Sequence, residues 1–353
     1  MCRLRRQPNR GMRRYINVEF IPQVIITMLH DILFLIIGLA LVLAGANYLT
    51  DGATAIAKRF KMSDLIIGMT VVAFGSSTPD LVVSLTSTLQ GKGAMAVANI
   101  VGANIFDILL VIGLCALVRP VVIGRATLQK VFPMVILSSG VLFLVACDVL
   151  IDGLKTNFID RSDGLILLCF FVINCVVTYM VSKSPETLSN TAGNTEVSTR
   201  QLKMWVAIVM VVGGLAGLVI GGNWFVSSAS GIAEKAGMSE SLVGLTIVAI
   251  GSSLPDLSTS LIAAIKGHSG IAVGNIVGSC VLNVFFIIGL CATIKPLELG
   301  TVNAIDFGVL VAGSILIWLF GWVWGKRTIN RQEGLMLVVC YAGYIAYLLL
   351  SNK

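Results

Sequence analysis

Ten apolar runs, each long enough to cross a bilayer, leave this chain few architectures to choose from. A spanning helix needs about 20 mostly apolar residues. Such runs lie near 29–50, 64–89, 94–117, 131–147, 164–181, 204–228, 241–265, 270–294, 308–325 and 334–350. Only 12% of the 353 residues are charged, against about 25% in an ordinary soluble domain, and the charges cluster between the runs. In hydrocarbon the backbone must satisfy its own hydrogen bonds, so apolar runs of this length are read as helices. The fold class is all-α integral membrane, with the lipid bilayer as partner.

The net charge of +7 does not mark a nucleic-acid face. Six arginines fall in the first 14 residues and many other basic residues in short loops, a pattern that reports topology or anionic lipid. The eight cysteines form no C-x-x-C pair and there are two histidines, so no zinc, haem or iron–sulfur pattern assembles and no cofactor is expected. The basic arm, residues 1–28, does not read as a signal peptide, because polar Tyr15–Gln23 follows its arginines where an apolar stretch is expected. Met28, directly before the first run, is a candidate start.

The polar segment 182–203 separates a first set of five runs (29–181) from a second (204–353). The two sets repeat one another. GMTVVAFGSSTPDLVVSL (68–85) returns as GLTIVAIGSSLPDLSTSL (244–261), and AVANIVGANIFDILLVIGLCA (96–116) returns as AVGNIVGSCVLNVFFIIGLCA (272–292), always 176 residues later and with about half the positions identical. An odd number of spans per repeat makes the second copy enter from the opposite side, an inverted-topology repeat. Loop lysines and arginines place both termini outside the cell's inner (plasma) membrane. The arm before Met28 opposes that placement.

Three aspartates fall within apolar runs: Asp80, Asp107 and Asp256. Each ionised carboxylate at a helix centre costs about 3 kcal/mol on insertion scales. Aspartates that merely tie helices together are the plain alternative, but two at matching repeat positions, each inside Gly-Ser-Ser-x-Pro-Asp, point to a cation site. Pro79 and Pro255 should break the second and seventh helices and free carbonyls near Gly75 with Ala73, and near Gly251 with Ala249. Ser76 and Asp80 are spaced four apart and share a face, with Ser77 beside them; Ser252, Ser253 and Asp256 repeat the set. An all-oxygen constellation suits Ca²⁺ or Na⁺. The next helix of each half adds an asymmetric pair: Asp107 matches Asn283, and Ala103 matches Ser279. The site then totals three carboxylates, fitting Ca²⁺ with one further cation or proton, or about three Na⁺. Asn99 and Asn275, on the same faces, suit ligand support and helix packing equally.

The paired motifs resemble the two α-repeats of the sodium/calcium exchanger family, and the resemblance covers essentially the whole chain. It implies ten transmembrane helices as two inverted repeats of five, with the second and seventh broken. It also implies overlapping Ca²⁺ and Na⁺ sites lined by Ser76, Ser77, Asp80, Asp107, Ser252, Ser253, Asp256, Ser279 and Asn283 with the carbonyls of Ala73 and Ala249. Two departures stand out. Family members usually carry glutamate where Asp80 and Asp256 stand, and the compared archaeal and bacterial exchangers have asparagine in the third span and aspartate in the eighth, the reverse of Asp107 and Asn283.

The expected activity is therefore not enzymatic but antiport, Na⁺ against Ca²⁺ by alternating access, with one chain sufficient. A proton/cation exchanger on the same fold is the principal alternative, with H⁺ or K⁺ as other coupling ions. A channel fits less well, because channels usually build ion rings from several subunits.

Overall fold

The computed structural model describes residues 20–60, 62–146, 158–182, 203–235, 249–300, 302–323 and 327–351. The first span is α1 (Phe20–Phe60), which continues through Met28 without interruption. The second is broken into α2 (Asp64–Ser76) and α3 (Thr78–Leu89), bent by 45°. Then come α4 (Gly93–Val118), α5 (Thr127–Ala146), α6 (Arg161–Ser182) and α7 (Met204–Lys235). A short α8 (Ala249–Ser252) precedes α9 (Leu254–Lys266). The chain closes with α10 (Ser269–Ile294), α11 (Ala304–Val323) and α12 (Arg331–Ser351). Among the described residues eight helices are long and apolar enough to cross a membrane, or nine with the bent pair. The first part of the run near 241–265, the basic arm up to residue 19 and most of the central polar segment lie outside the described residues.

The break expected at proline falls two residues earlier. Ser77 (φ −82°, ψ 2°) and Ser253 (φ −92°, ψ 1°) leave the helical region. Pro79 and Pro255 then sit in the opening turns of α3 and α9, where a missing N–H is harmless. Four of the described helices also carry π segments that the apolar pattern did not announce: Gly68–Val72 in α2, Phe106–Val111 in α4, Thr127–Val131 in α5 and Leu282–Ile288 in α10. Such wide turns often mark functional sites.

α4 and α10 form the centre. In their spanning windows 78% and 83% of residues are buried, against 17–44% for the other unbroken spans. Both are small and apolar all round, as a helix without a solvent or lipid face must be. The outer helices instead turn large side chains outward, among them Leu33, Ile36, Val172, Met180, Val209, Val212, Leu335 and Val339, as a lipid-facing surface requires.

Small residues let the helices close on one another. α2 crosses α10 almost backbone to backbone: a Cβ added at Gly68 would come within 2.7 Å of the Ile271 carbonyl oxygen, and one at Gly278 within 2.7 Å of Ala73 Cβ. α1 and α7 meet the same way, Gly45 against Gly214 and Gly38 against Gly221. Four two-residue strands tie the ends together: β1 (Val121–Val122) pairs antiparallel with β4 (Thr328–Ile329), and β2 (Phe158–Ile159) with β3 (Leu297–Glu298). Each pairing joins the end of one half's central helix to the start of the other half's last helix.

Candidate ion-binding site

The helix breaks change the setting of the two motif aspartates. Asp80 and Asp256 occupy the first turns of α3 and α9, where the positive end of the helix dipole favours an anion by roughly 0.3–1 kcal/mol and up to about 2 when partly buried. Both are fully buried, as is Asp107, which lies in the π segment of α4; Asn283 lies in that of α10.

Asparagines organise the two carboxylates. Asn275 Nδ2 donates to Asp256 Oδ1 (3.0 Å) and to Ser260 Oγ (2.9 Å). In the other half Asn99 Nδ2 donates to Asp80 Oδ1 and Ser84 Oγ, both at 3.3 Å. The motif serines then cross between the halves: Ser76 Oγ donates to Asn275 Oδ1 at 2.9 Å, and Ser252 Oγ to Asn99 Oδ1 at 3.3 Å. Every member of the first chain of bonds has its counterpart 176 residues away in the second.

The asymmetric positions depart from this pattern. Ser279 Oγ donates to Asp256 Oδ1 at 2.9 Å, whereas Ala103, its counterpart, has no hydroxyl. Asn283 Nδ2 faces Asp80 Oδ2 at 3.5 Å and donates to Asn104 Oδ1 at 3.0 Å. Asn104 was not among the residues that sequence reasoning singled out, because its repeat counterpart is a cysteine and no motif marks it. Ser84 and Ser260 were missed too, although each lies four residues after its aspartate, on the same face.

Several buried oxygens are left without a hydrogen-bond partner: Ser77 Oγ, Ser253 Oγ, both oxygens of Asp107, Asp256 Oδ2, Asn283 Oδ1 and Thr259 Oγ1. Leaving a buried polar group unpaired costs about 1–3 kcal/mol, and more for a charge. Among the described residues the ion pairs link His30 to Asp31, Lys266 to Asp51 and His268 to Asp64, and none reaches the three buried aspartates. A mobile cation or a proton is the counter-charge this arrangement calls for. The same residues do not form a ready-made cage of three or more acidic, histidine or cysteine ligands, so any cation would be held by carboxylate, hydroxyl and amide oxygens together.

The backbone ligands are less free than the sequence suggested. The Ala73 carbonyl accepts from Ser77 N–H at 3.0 Å and from Ser76 Oγ at 3.2 Å. The carbonyl that Pro79 deprives of its helical donor is that of Gly75, four residues earlier. Ala249 opens α8, and the residues before it lie outside the described part.

Two helices broken beside buried aspartates, a reciprocal serine–asparagine exchange and a set of unpaired oxygens make up the candidate site. The family model for sodium/calcium exchanger protein matches residues 30–180 and 206–350. The chain belongs to the sodium/calcium exchanger family. Among its relatives are CaxA of Alkalimonas amylolytica, 37% identical over 92% of this chain and 100% of that protein, and the inner membrane protein YrbG of Escherichia coli K12, 33% identical over 91% and 96%. The sodium/calcium exchanger MaX1 of Methanosarcina acetivorans is 26% identical over 90% and 98%. The sodium-calcium exchanger NCX_Mj, solved after soaking in 10 mM Na⁺ without Ca²⁺, superposes with a TM-score of 0.76 at 26% identity, covering 90% of this chain and 99% of that one. This member of the family is a multi-pass membrane antiporter for cations.

Proposed function

We propose that this antiporter exchanges Na⁺ for Ca²⁺ at the buried aspartate site by alternating access. The observation that carries the proposal is the group of unpaired oxygens on Ser77, Ser253, Asp107, Asp256 and Asn283, gathered in a protein whose solved relatives include a sodium-calcium exchanger. Hard oxygen ligands of mixed charge fit both ions. Three carboxylates shared between them make their binding mutually exclusive, which is what couples the two fluxes.

The site residues are Asp80, Asp107, Asp256, Asn283, Ser76, Ser77, Ser252, Ser253 and Ser279, with the carbonyls of Ala73 and Ala249. Ten spans in two inverted halves, 29–181 and 204–353 joined by 182–203, account for the matching bonds on either side of the site. They also account for Asn104 touching Cys280, its own repeat equivalent, as residues near a local two-fold axis do. The positive-inside rule places both termini outside. A complete site within one chain makes the monomer sufficient.

The test is ⁴⁵Ca²⁺ uptake into Na⁺-loaded proteoliposomes diluted into Na⁺-free buffer, with Asp80→Asn and Asp256→Asn as controls. Gradient-dependent uptake that both variants abolish supports the reading. No uptake by folded wild-type protein overturns it. Proton/cation exchange is the second reading, favoured by Asp107, whose buried, unpartnered carboxylate a proton would also neutralise. Uptake driven by a pH gradient and indifferent to Na⁺ would select it.

A further inference from the structure

Asn104 is fully buried and its amide is held at both ends. Its Nδ2 donates to the Cys280 carbonyl at 3.0 Å. A carbonyl only accepts, so this bond decides which end of the Asn104 amide is nitrogen. Asn104 Oδ1 therefore faces Asn283 and accepts from its Nδ2 at 3.0 Å. That fixes Asn283 in turn. Its nitrogen sits between Asn104 Oδ1 and Asp80 Oδ2, and its own Oδ1 is left buried and unpartnered. A flipped Asn283 would set its oxygen against two acceptors.

We propose that Asn104 is a positioning residue, which through this two-step relay from the Cys280 carbonyl presents Asn283 Oδ1 as a neutral ligand to the transported cation. The proposal rests on the reading of Asn283 as a ligand given above. A second asymmetry supports it. By the repeat, Asn104 stands to Asn283 as Cys280 stands to Asp107. An amide has a wrong way round and meets a residue able to orient it. A carboxylate has two equivalent oxygens and needs no such control, and the position equivalent to Asn104 is a cysteine.

A double-mutant cycle in Na⁺-loaded proteoliposomes tests this, using Asn104→Leu, Asn283→Leu and the pair, with Ca²⁺ as the ion and apparent KM and maximal rate as readouts. Asn104→Leu alone should raise KM about tenfold, the size of one net hydrogen bond. In the Asn283→Leu background it should change KM by less than about twofold, the scatter expected of independent sites. Maximal rate should stay nearly constant in Asn104→Leu. If Asn283→Leu by itself leaves KM unchanged, the ligand reading fails and the relay with it. If Asn283→Leu raises KM but Asn104→Leu has no effect, or adds its full effect to the pair, the relay alone is overturned. Asn104→Cys, which installs the side chain of the equivalent position, replaces Asn104→Leu should the latter not fold, with the same outcomes.

Discussion

Ser76 Oγ donates a hydrogen bond of 2.9 Å to Asn275 Oδ1, reaching from the first half of the chain to the second. The bond sets the Asn275 amide so that its nitrogen points to Asp256 and Ser260. Its counterpart, from Ser252 to Asn99, is longer at 3.3 Å, as are both bonds that Asn99 donates. The site is thus built twice from one plan and held more tightly around Asp256 than around Asp80.

That difference orders two substitutions. Asn275→Ala strips partners from three buried side chains joined by bonds of 2.9–3.0 Å, while Asn99→Ala removes three bonds of 3.3 Å. At about 1–3 kcal/mol for each buried group left unpaired, both variants should unfold earlier than wild type. Asn275→Ala should lose more. Thermal unfolding in detergent measures the order, and equal losses would refute the claim that the Asp256 side is the tighter one.

Asp107→Asn separates stability from function. A buried carboxylate with neither oxygen hydrogen-bonded by the protein opposes folding, and its neutral isostere should stabilise the fold by about 1 kcal/mol or more. Transport should fall at least tenfold, the effect of about 1.4 kcal/mol, because one of three charges is gone. Combining it with Asn283→Asp returns the charge to the repeat-equivalent position and should recover part of the lost rate. A fall in both stability and transport would argue that Asp107 is structural.

Gly278 and Gly102 are repeat equivalents in different surroundings. A methyl at Gly278 would press on Ala73 and on the Met69 backbone, whereas one at Gly102 meets nothing within 4 Å. Gly278→Ala should therefore destabilise by about 1–3 kcal/mol, as overpacking does. Gly102→Ala should be neutral or stabilise by up to about 1 kcal/mol through helix propensity. Melting temperatures of the purified variants decide it.

Pro79→Ala restores an N–H that can bond to the Gly75 carbonyl and allows the helix to run on through Ser77. Asp80 would then move from an opening turn into a helix interior and lose the dipole's favour, about 0.3–1 kcal/mol. Thermal stability should hold or rise while uptake falls. Full uptake with unchanged stability would show that the break is not set by proline.

Much of this was fixed by local sequence. Uninterrupted apolar runs dictate helices because hydrocarbon offers the backbone no other partner, and the described helices follow those runs within a few residues at most ends. Asp80 and Asp256 were legible as buried carboxylates because each stands within an apolar run and the pair repeats at a constant offset. The position of the break was less legible: proline forbids a helical bond but is content in a first turn, so Ser77 and Ser253 absorb the bend. What the tertiary structure alone decided is which side chains meet across the halves. Ser76 with Asn275, Asn104 with the Cys280 carbonyl and Asn283 with Asp80 lie 176–203 positions apart, and no helical periodicity encodes them. The first of these contacts forms because Gly68, Gly274 and Gly278 let α2 and α10 cross backbone to backbone. Such an approach depends on the shapes of two helices at once, which neither stretch of sequence states by itself.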